Sequence, residues 1–442
     1  MSRLLLRGVE VDGAACDVLI ADGRVAAIGR DLPRERDEIA GRGGALIPGL
    51  VDHHIHLLAT AAAAESIDLS ACETLDAVAG EIARIAATRP AGSWLRATRC
   101  PAPVAERLDR HVLTRIAPAH RLRVLDRTGA LWVLNDAALA AAGEIAGLER
   151  DSGRLWRGDA ALRAAIGTVV PPLAPLGARL AACGVTAVTD ASVTTDADAA
   201  AILTGAIPQR LTLMSGGALS SPADGAFAVG PVKIVPDERA PPDLDAFIAR
   251  IADARAWGRA VAVHCVTAFE LALTLAAFEA AGTRPGDRIE HGSVIPADAI
   301  PVIAALGLTV ATQPGFVAAR GDAYLRDVAA GEHADLYRCA SLIAADVPVL
   351  GSSDAPYGPL DPWAAMRAAV TRETAAGVVL GADERIAPAQ ALRLYTGGTS
   401  VRVGMAADLC LLRVGLAATL DALDAQNVAA TLIGGRAVHL SI

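Results

Sequence analysis

The length, composition and charge of the chain exclude several classes of protein. The chain has 442 residues, of which 53% are hydrophobic and 3% aromatic, and its net charge is -9. No apolar stretch reaches the roughly 18 uncharged residues that a membrane span requires, since Arg, Asp or Glu interrupts each Ala-rich run. The net negative charge provides no basic field for a phosphate backbone. We therefore expect a globular protein that binds neither membranes nor nucleic acid.

The cysteines and the first residues favour the cytoplasm. The seven cysteines are scattered without a CxxC pair, which argues against a disulfide framework and a thiolate zinc site. The opening segment MSRLLLRGVEVDG has too short an apolar stretch for a signal peptide. We expect a cytoplasmic protein, and a homo-oligomer is the commonest arrangement for such chains.

Both ends of the chain show β patterning. Residues 1–47 alternate like short strands, and the Asp-Gly pair at 22–23 is typical of a hairpin turn. The last residues repeat this pattern, with two glycines at 434–435. We expect residues 1–48 and 401–442 to form one small β-sandwich domain.

The middle of the chain alternates β-branched apolar runs with Ala-rich helical periods, which predicts an α/β fold with a (β/α)8 TIM barrel over residues 49–400. The candidate strands cover residues 50–56, 185–191, 210–214, 232–235, 260–265, 288–292, 308–312 and 347–354. The first two strands lie far apart in the sequence. We therefore expect an insertion at about residues 60–180, over the C-terminal mouth of the barrel.

Histidines occupy the first candidate strand. His54 and His56 are two residues apart, so both side chains point to the same face of the strand. This spacing suits two imidazoles on one metal ion. His53 points the other way, and we interpret it as a packed histidine.

Three more candidate ligands end later strands. His264 ends AVAVH, His291 ends RIEH and Asp354 ends VLGSSD. Because the carboxyl ends of barrel strands converge at one mouth, these side chains are expected to meet there. Asp354 could be a metal ligand, a base or a helix N-cap.

Lys233, in the strand VKIV, is the only lysine among 40 cationic residues. A buried lysine amine can become nucleophilic toward carbonyls or CO₂. If CO₂ carbamylates this amine, it becomes a carboxylate that can bridge two cations, and arginine cannot replace it.

The motifs of the chain resemble those of a known superfamily. The run PGLVDHHIH (48–56) is similar to the PG-[LIF]-[VI]-D-x-H-x-H signature of the amidohydrolase superfamily. The resemblance continues in order through GVTAVTD (184–190), Lys233, His264, EHG (290–292) and SSDAP (352–356). The insertion, TQPGF (312–316), SSDAPYGPLDPW (352–363) and AVTRE (369–373) resemble the YtcJ-like group of the amidohydrolase 3 family.

The resemblance implies a set of ligands. His54, His56 and Asp354 would bind a first metal ion, His264 and His291 a second, and carbamylated Lys233 would bridge the two. Zn²⁺ is the first expectation for this ligand set, and Mn²⁺ or Fe²⁺ would also fit. A site with one metal, in which Lys233 stays an amine, remains open.

The resemblance also implies a reaction. A hydroxide that bridges the metals would hydrolyse a C–N bond of an amide, carbamate or cyclic amidine, but not of a peptide, with Asp354 moving the proton. One alternative is a metal-dependent hydrolase of an ester, lactone or phosphotriester. Another is a catalytically inactive scaffold of the same fold.

The substrate is expected to be a small molecule. Six side chains are candidates for contacting it: Tyr357, Trp363, Gln313, Trp132, Arg127 and Arg338. Each of them could instead be packed or lie on the surface. The chain departs from the group at one position. Members often have a histidine five residues before an asparagine. In this chain the asparagine is Asn135 and the earlier position is Ala130. The contact that such a histidine would make with the substrate is therefore absent.

Overall fold

The computed structural model describes residues 3–167, 170–236 and 242–441. The chain divides into two compact units, of which the smaller is Leu58–Pro172 and the larger contains the rest. Within the described ranges, no helix is long and apolar enough to cross a membrane.

The first residues form a four-stranded sheet. Its strands are β1 (Arg3–Val11), β2 (Ala14–Ala21), β3 (Arg24–Gly29) and β4 (Glu38–Ala40), in the order β3-β2-β1-β4. The predicted turn at 22–23 joins β2 to β3, which pair antiparallel. Strands β5 (Leu46–Pro48) and β6 (Leu50–Ile55) follow, separated by Gly49. A Cβ on Gly49 would come within 2.2 Å of the Thr186 side chain, so the close approach requires glycine here.

The smaller unit contains a six-stranded sheet with the order β11-β12-β10-β9-β8-β7. Its strands are β7 (Ile67–Asp68), β8 (Trp94–Cys100), β9 (Arg121–Asp126), β10 (Leu131–Leu134), β11 (Leu148–Glu149) and β12 (Arg154–Trp156). The helices are α1 (Leu57–Ala64), which begins at the unit boundary, α2 (Leu75–Ala86), α3 (Ala102–Ala105), α4 (Arg110–Ile116), α5 (Asp136–Ala142) and α6 (Asp159–Ile166). One apolar face of α2, with Val78 and Ile82, belongs to the same core as Leu122 and Val124 of β9.

The larger unit contains the predicted barrel, and the structure confirms all eight strands. After β6 come β13 (Val185–Asp190), β14 (Arg210–Ser215), β15 (Ala228–Ile234), β16 (Val261–Cys265), β17 (Arg288–His291), β18 (Thr309–Thr312) and β19 (Val349–Gly351). All neighbours pair parallel, in the order β19-β18-β17-β16-β15-β14-β13-β6. Two backbone hydrogen bonds link the ends of the sheet, from Asp354 N to His54 O (2.8 Å) and from His56 N to Ala355 O (3.0 Å).

Helices follow the barrel strands and bury one face against them. They are α7 (Ala174–Ala182), α8 (Ala197–Leu203), α9 (Leu244–Ala256), α10 (Ala268–Ala281), α11 (Ala299–Ala305), α12 (Gly315–Asp327), α13 (Ala340–Ala344), α14 (Pro362–Thr371) and α15 (Pro388–Thr396), with 3-10 turns at Ala330–Asp335 and Ala382–Glu384. Thr267 and Glu270 form a capping box that starts α10. Phe247 and Phe278 from the helices pack in one cluster with Ile289 and Val310 from the strands. The strands are thereby buried on both faces, as their continuous apolar runs predict.

The last residues return to the first ones. Strand β20 (Leu409–Leu412), helix α16 (Leu416–Asp421), the 3-10 turn Ala425–Asn427, β21 (Val428–Ile433) and β22 (Arg436–Leu440) complete the chain. Their sheet has the order β22-β21-β20-β5, so the N-terminal strand β5 is its edge. Leu6 and Val9 of the first sheet share a core with Leu409 and Leu411 of this one. The sheets of the two chain ends thus share one apolar core within the larger unit.

Candidate metal centre

The carboxyl ends of the barrel strands bring the predicted ligands to one cavity of about 530 Å³. Strands β6, β15, β16 and β17, with the segment that follows β19, supply all six: His54, His56, Lys233, His264, His291 and Asp354.

Three of these residues form what we call the first cluster, His54, His56 and Asp354. Their potential ligand atoms lie within 4.8 Å of one another. Asp354 Oδ1 is 3.5 Å from His54 Nε2 and 3.3 Å from His56 Nε2. Two imidazoles and a carboxylate at this spacing are a set of ligands that a divalent ion such as Zn²⁺ binds.

The other three residues, Lys233, His264 and His291, form the second cluster. The rings of His264 and His291 are 4.5 Å apart between centroids. His291 also joins the clusters, since its ring lies 4.7 Å from that of His54. Lys233 Nζ is buried and has no hydrogen-bond partner among the described residues.

A buried carboxylate orients His54. Glu290 Oε2 accepts a short hydrogen bond from His54 Nδ1, and Glu290 Oε1 accepts one from Arg288 Nε. Because the carboxylate fixes the proton on Nδ1, the lone pair of His54 Nε2 faces the cavity. The sequence analysis quoted Glu290 within a motif but assigned it no role.

A second buried carboxylate joins β6 to the segment that carries Asp354. Asp52 Oδ1 accepts from the backbone N of His54 (3.2 Å) and of Ser353 (3.0 Å), and Oδ2 accepts from Ser353 Oγ (2.5 Å). Burial raises the pKa of Asp52 to about 6. This bridge places the first cluster across the junction between the first and last barrel strands.

A chain of polar groups orients His291. Its Nδ1 donates to Gln313 Oε1 (3.0 Å), Gln313 Nε2 donates to Ser352 Oγ (2.9 Å), and Ser352 Oγ donates to Thr312 O (3.0 Å). Gln313 was a candidate for substrate contact. It is instead buried behind His291 and does not line the cavity.

Burial favours the neutral form of three imidazoles, those of His54, His264 and His291. It is the main cause that lowers the pKa of His54 and His291 far below the usual value and that of His264 to about 4, and the positive charge of Lys233 adds to the effect. Burial also lowers the pKa of Lys233 itself. A neutral imidazole is the form that binds a metal.

The polar atoms of the site fit a cation. His54 Nε2 and Asp354 Oδ1 are both acceptors, are both buried, and face each other at 3.5 Å without a hydrogen-bond partner among the described residues. Buried polar atoms normally have a partner. A positive ion between two such lone pairs satisfies both of them.

Several other candidates lie elsewhere. Trp363 is fully buried and its Nε1 donates to Cys183 O (2.9 Å), so the expectation that it lines the pocket is wrong. Arg338 is paired with Glu384 and Asp335 and does not line the cavity. These positions were proposed from residue type alone, which cannot separate packing from binding.

Tyr357 lines the cavity, whereas other candidates take structural roles. His53 offers its carbonyl to Arg288 (2.9 Å), and burial lowers its pKa to about 4. Within the smaller unit, Trp132 Nε1 donates to Asp159 (2.8 Å) and Arg127 to Ser70 O (3.3 Å). Asn135 caps helix α5 through its side chain.

A parallel eight-stranded barrel with neutral imidazoles and a carboxylate at its strand ends defines the class of metal-dependent barrel hydrolases. A sequence profile of the Amidohydrolase family matches residues 37–439. The chain therefore belongs to the Amidohydrolase family, and it is an enzyme of that family.

Individual proteins of known sequence or structure show the same relationship. The N-substituted formamide deformylase of Arthrobacter pascens is 25% identical, over 93% of this chain and 90% of that protein. The amidohydrolase-family protein YtcJ of Bacillus subtilis (strain 168) is 24% identical, over 83% and 81%. An uncharacterized metal-dependent hydrolase from Pyrococcus horikoshii OT3 superposes with a TM-score of 0.75 at 18% identity, over 99% of this chain and 100% of that one. The last comparison concerns the fold alone.

Proposed function

We propose that this enzyme hydrolyses a non-peptide C–N bond of a small molecule, in an amide, carbamate or cyclic amidine, with two divalent cations of which Zn²⁺ is the first to test. The observation that carries the proposal is the pair of buried acceptors, His54 Nε2 and Asp354 Oδ1, which face each other at 3.5 Å beside the other four ligand candidates.

The two clusters divide the ligands. The first cluster would hold one ion through two imidazoles and the Asp354 carboxylate, and the second would hold another through His264 and His291. Nitrogen and oxygen ligands without thiolate suit Zn²⁺, Mn²⁺ or Fe²⁺. When bound, such ions lower the pKa of water to about 7 and polarise a carbonyl group.

Lys233 would complete the second cluster as a carbamate. Its neutral amine attacks CO₂, the new N–C bond forms, and one proton leaves, so that a carboxylate replaces the amine. The carbamate would turn an unpartnered buried amine into an anionic ligand for both ions. Burial supports this reaction because it disfavours the ammonium form.

The residues of the site then perform the proton transfer. Asp354 reaches both clusters. Its Oδ1 is 3.3 Å from His56 Nε2 in the first cluster, and its Oδ2 is 3.9 Å from His291 Nδ1 in the second. It would accept the proton of the attacking water and donate it to the leaving nitrogen, so that amide and water become acid and amine. The likeness to an N-substituted formamide deformylase favours amides over esters as first substrates.

The experiment combines metal content with turnover. Elemental analysis of the purified protein should give about two divalent ions per chain. The chelated protein should regain hydrolysis of amides or carbamates, released amine being measured, only when the ion is returned. About one ion per chain would favour a site in which Lys233 stays an amine. Tight metal binding without turnover of any amide, carbamate, ester or lactone would contradict the proposed activity.

A further inference from the structure

The cavity above the metal centre has an uneven distribution of polar groups. Besides the six ligand candidates, the described residues of the segments that follow β13, β15 and β16 contribute only apolar side chains to it: Ala191, Val193, Val235 and Val266. Among described residues, the segments that follow β17, β18 and β19 contribute apolar side chains as well as all the other polar side chains of the lining: Ser293, Arg320, Tyr324, Tyr337 and Tyr357. Because these two groups of strands occupy different arcs of the barrel, the two parts of a bound substrate would meet different surroundings.

Three hydroxyl groups from the segments that follow β17 and β18 form a row in which neighbours lie within hydrogen-bonding distance. Ser293 Oγ donates to Tyr337 Oη (3.1 Å), and the hydroxyls of Tyr337 and Tyr324 are 3.0 Å apart. The backbone fixes this arrangement, since Tyr337 N donates to Ser293 O (2.9 Å). Tyr324 lies one helical turn after Arg320 on α12, so its hydroxyl extends the row of polar groups toward the guanidinium.

Among the described residues, Arg320 is the one arginine that lines the cavity. Its Nη2 donates to Tyr357 O (2.6 Å), and its guanidinium lies 4.5 Å above the ring of Phe316. In the part of the chain that the structure describes, no Asp or Glu forms an ion pair with it. Its partner Tyr357 is joined to the metal centre, because Tyr357 N donates to Asp354 O (2.8 Å).

Arg320 is an exposed residue of the cavity lining, and neutral groups hold its guanidinium there. A planar guanidinium binds a carboxylate through two parallel hydrogen bonds. The cavity volume of about 530 Å³ lies within the range of sites for small ligands. The valines offer an apolar surface and no hydrogen bond.

We propose that the substrate is an amide with a compact apolar group on one side of the C–N bond and a carboxylate on the other, and that Arg320 binds this carboxylate. N-acyl amino acids with a compact apolar acyl group are the simplest members of this class. The inference rests on the proposed function, since it names the substrate class of the same site.

Matched substrate pairs test the proposal. N-acetyl-leucine is compared with its neutral counterpart N-(3-methylbutyl)acetamide, which lacks only the carboxylate. The wild-type enzyme should prefer the carboxylate by about tenfold or more in kcat/KM, the range of a charge-assisted hydrogen bond. Arg320→Ala should abolish this preference by raising KM for the acid much more than KM for the neutral amide. Arg326→Ala is the matched control, because Arg326 lies on the same helix and bonds only to Asp322 O.

Binding separates this inference from the proposed function. The Asp354→Asn protein lacks one carboxylate ligand, so it is supplemented with Zn²⁺, its metal content is measured, and it is then titrated calorimetrically with N-acetyl-leucine and with N-acetyl-leucinamide. Binding of the acid that Arg320→Ala weakens supports the inference even if no amide is hydrolysed. Equal binding or turnover of acid and neutral compounds, or equal loss of both in Arg320→Ala, would overturn it while amide hydrolysis itself could stand.

Discussion

The two clusters of the metal centre differ in how the fold supports them. His54 in the first cluster is fixed by Glu290, and the backbone around it is tied to the last barrel strand by Asp52. His56 Nδ1 is 3.1 Å from Ser192 Oγ. In the second cluster only His291 has such support, from Gln313. Among described residues, no hydrogen bond reaches the Lys233 amine.

Hydrogen bonds of the protein thus hold the first cluster, whereas the proposed carbamate and ion would complete the second. Side chains held by buried hydrogen bonds are already in the geometry that a metal needs. A lysine amine without a partner needs a chemical change to become an anionic ligand. We therefore expect the two clusters to respond differently to substitution.

The largest loss of activity is expected for substitution of Asp354, which reaches both clusters. Asp354→Asn should lower kcat about 1000-fold or more, because the amide cannot accept and return the proton. Asparagine suits the left-handed backbone at this position, where φ is 50°, so the fold should remain. Stopped assays and circular dichroism check both points, with exposed Asp383→Asn as the control. An unchanged kcat would remove Asp354 as the proton carrier.

Substitution of Lys233 is expected to remove the second ion but not the first, with a large loss of turnover. Lys233→Ala should keep about one ion per chain in the first cluster and lose the second, with turnover falling accordingly. Short carboxylic acids should restore part of the activity by replacing the carbamate. Lys233→Arg serves as control, since it keeps a positive charge but cannot form the carbamate. Two tightly bound ions in Lys233→Ala would contradict the bridging role.

Removing the support of the first cluster should have an intermediate effect. Glu290→Gln keeps the size of the side chain but weakens the hydrogen bond that fixes His54. Metal affinity should fall about 10- to 100-fold, measured by competition with a chromogenic chelator and so independent of turnover. The surface variant Glu373→Gln is the matched control. The same affinity in both variants would show that Glu290 does not position His54.

The smallest loss of metal affinity is expected for substitution of Gln313, which supports His291 of the second cluster. Gln313→Ala removes the acceptor for His291 Nδ1 and the donor to Ser352 Oγ, which keeps its hydrogen bond to Thr312 O. The second ion should bind more weakly, by roughly tenfold or less, because His291 can still rotate into place. Exposed Gln426→Ala is the control. An effect equal to that of Glu290→Gln would indicate that the two clusters are supported equally.

The barrel could be predicted from the sequence because its strands are local apolar runs at regular spacing, and the ligands lie at their ends. Contacts across the barrel could not be predicted in this way. Glu290 lies more than 200 residues from His54 in the sequence, and no local pattern links them. Trp363 and Gln313 were candidates by residue type, and only the structure shows that packing and support of His291 occupy them.

The pairing of β5 with β20 has a consequence for the order of folding. The two strands are separated by the whole barrel and the smaller unit, and Leu6 and Val9 find part of their core only on Leu409 and Leu411. Contacts of such long sequence separation form slowly because the intervening loop must close first. During synthesis on a ribosome, one apolar face of the first sheet therefore stays incompletely covered until nearly the whole chain has been made. An apolar face that stays exposed for this time is prone to aggregation.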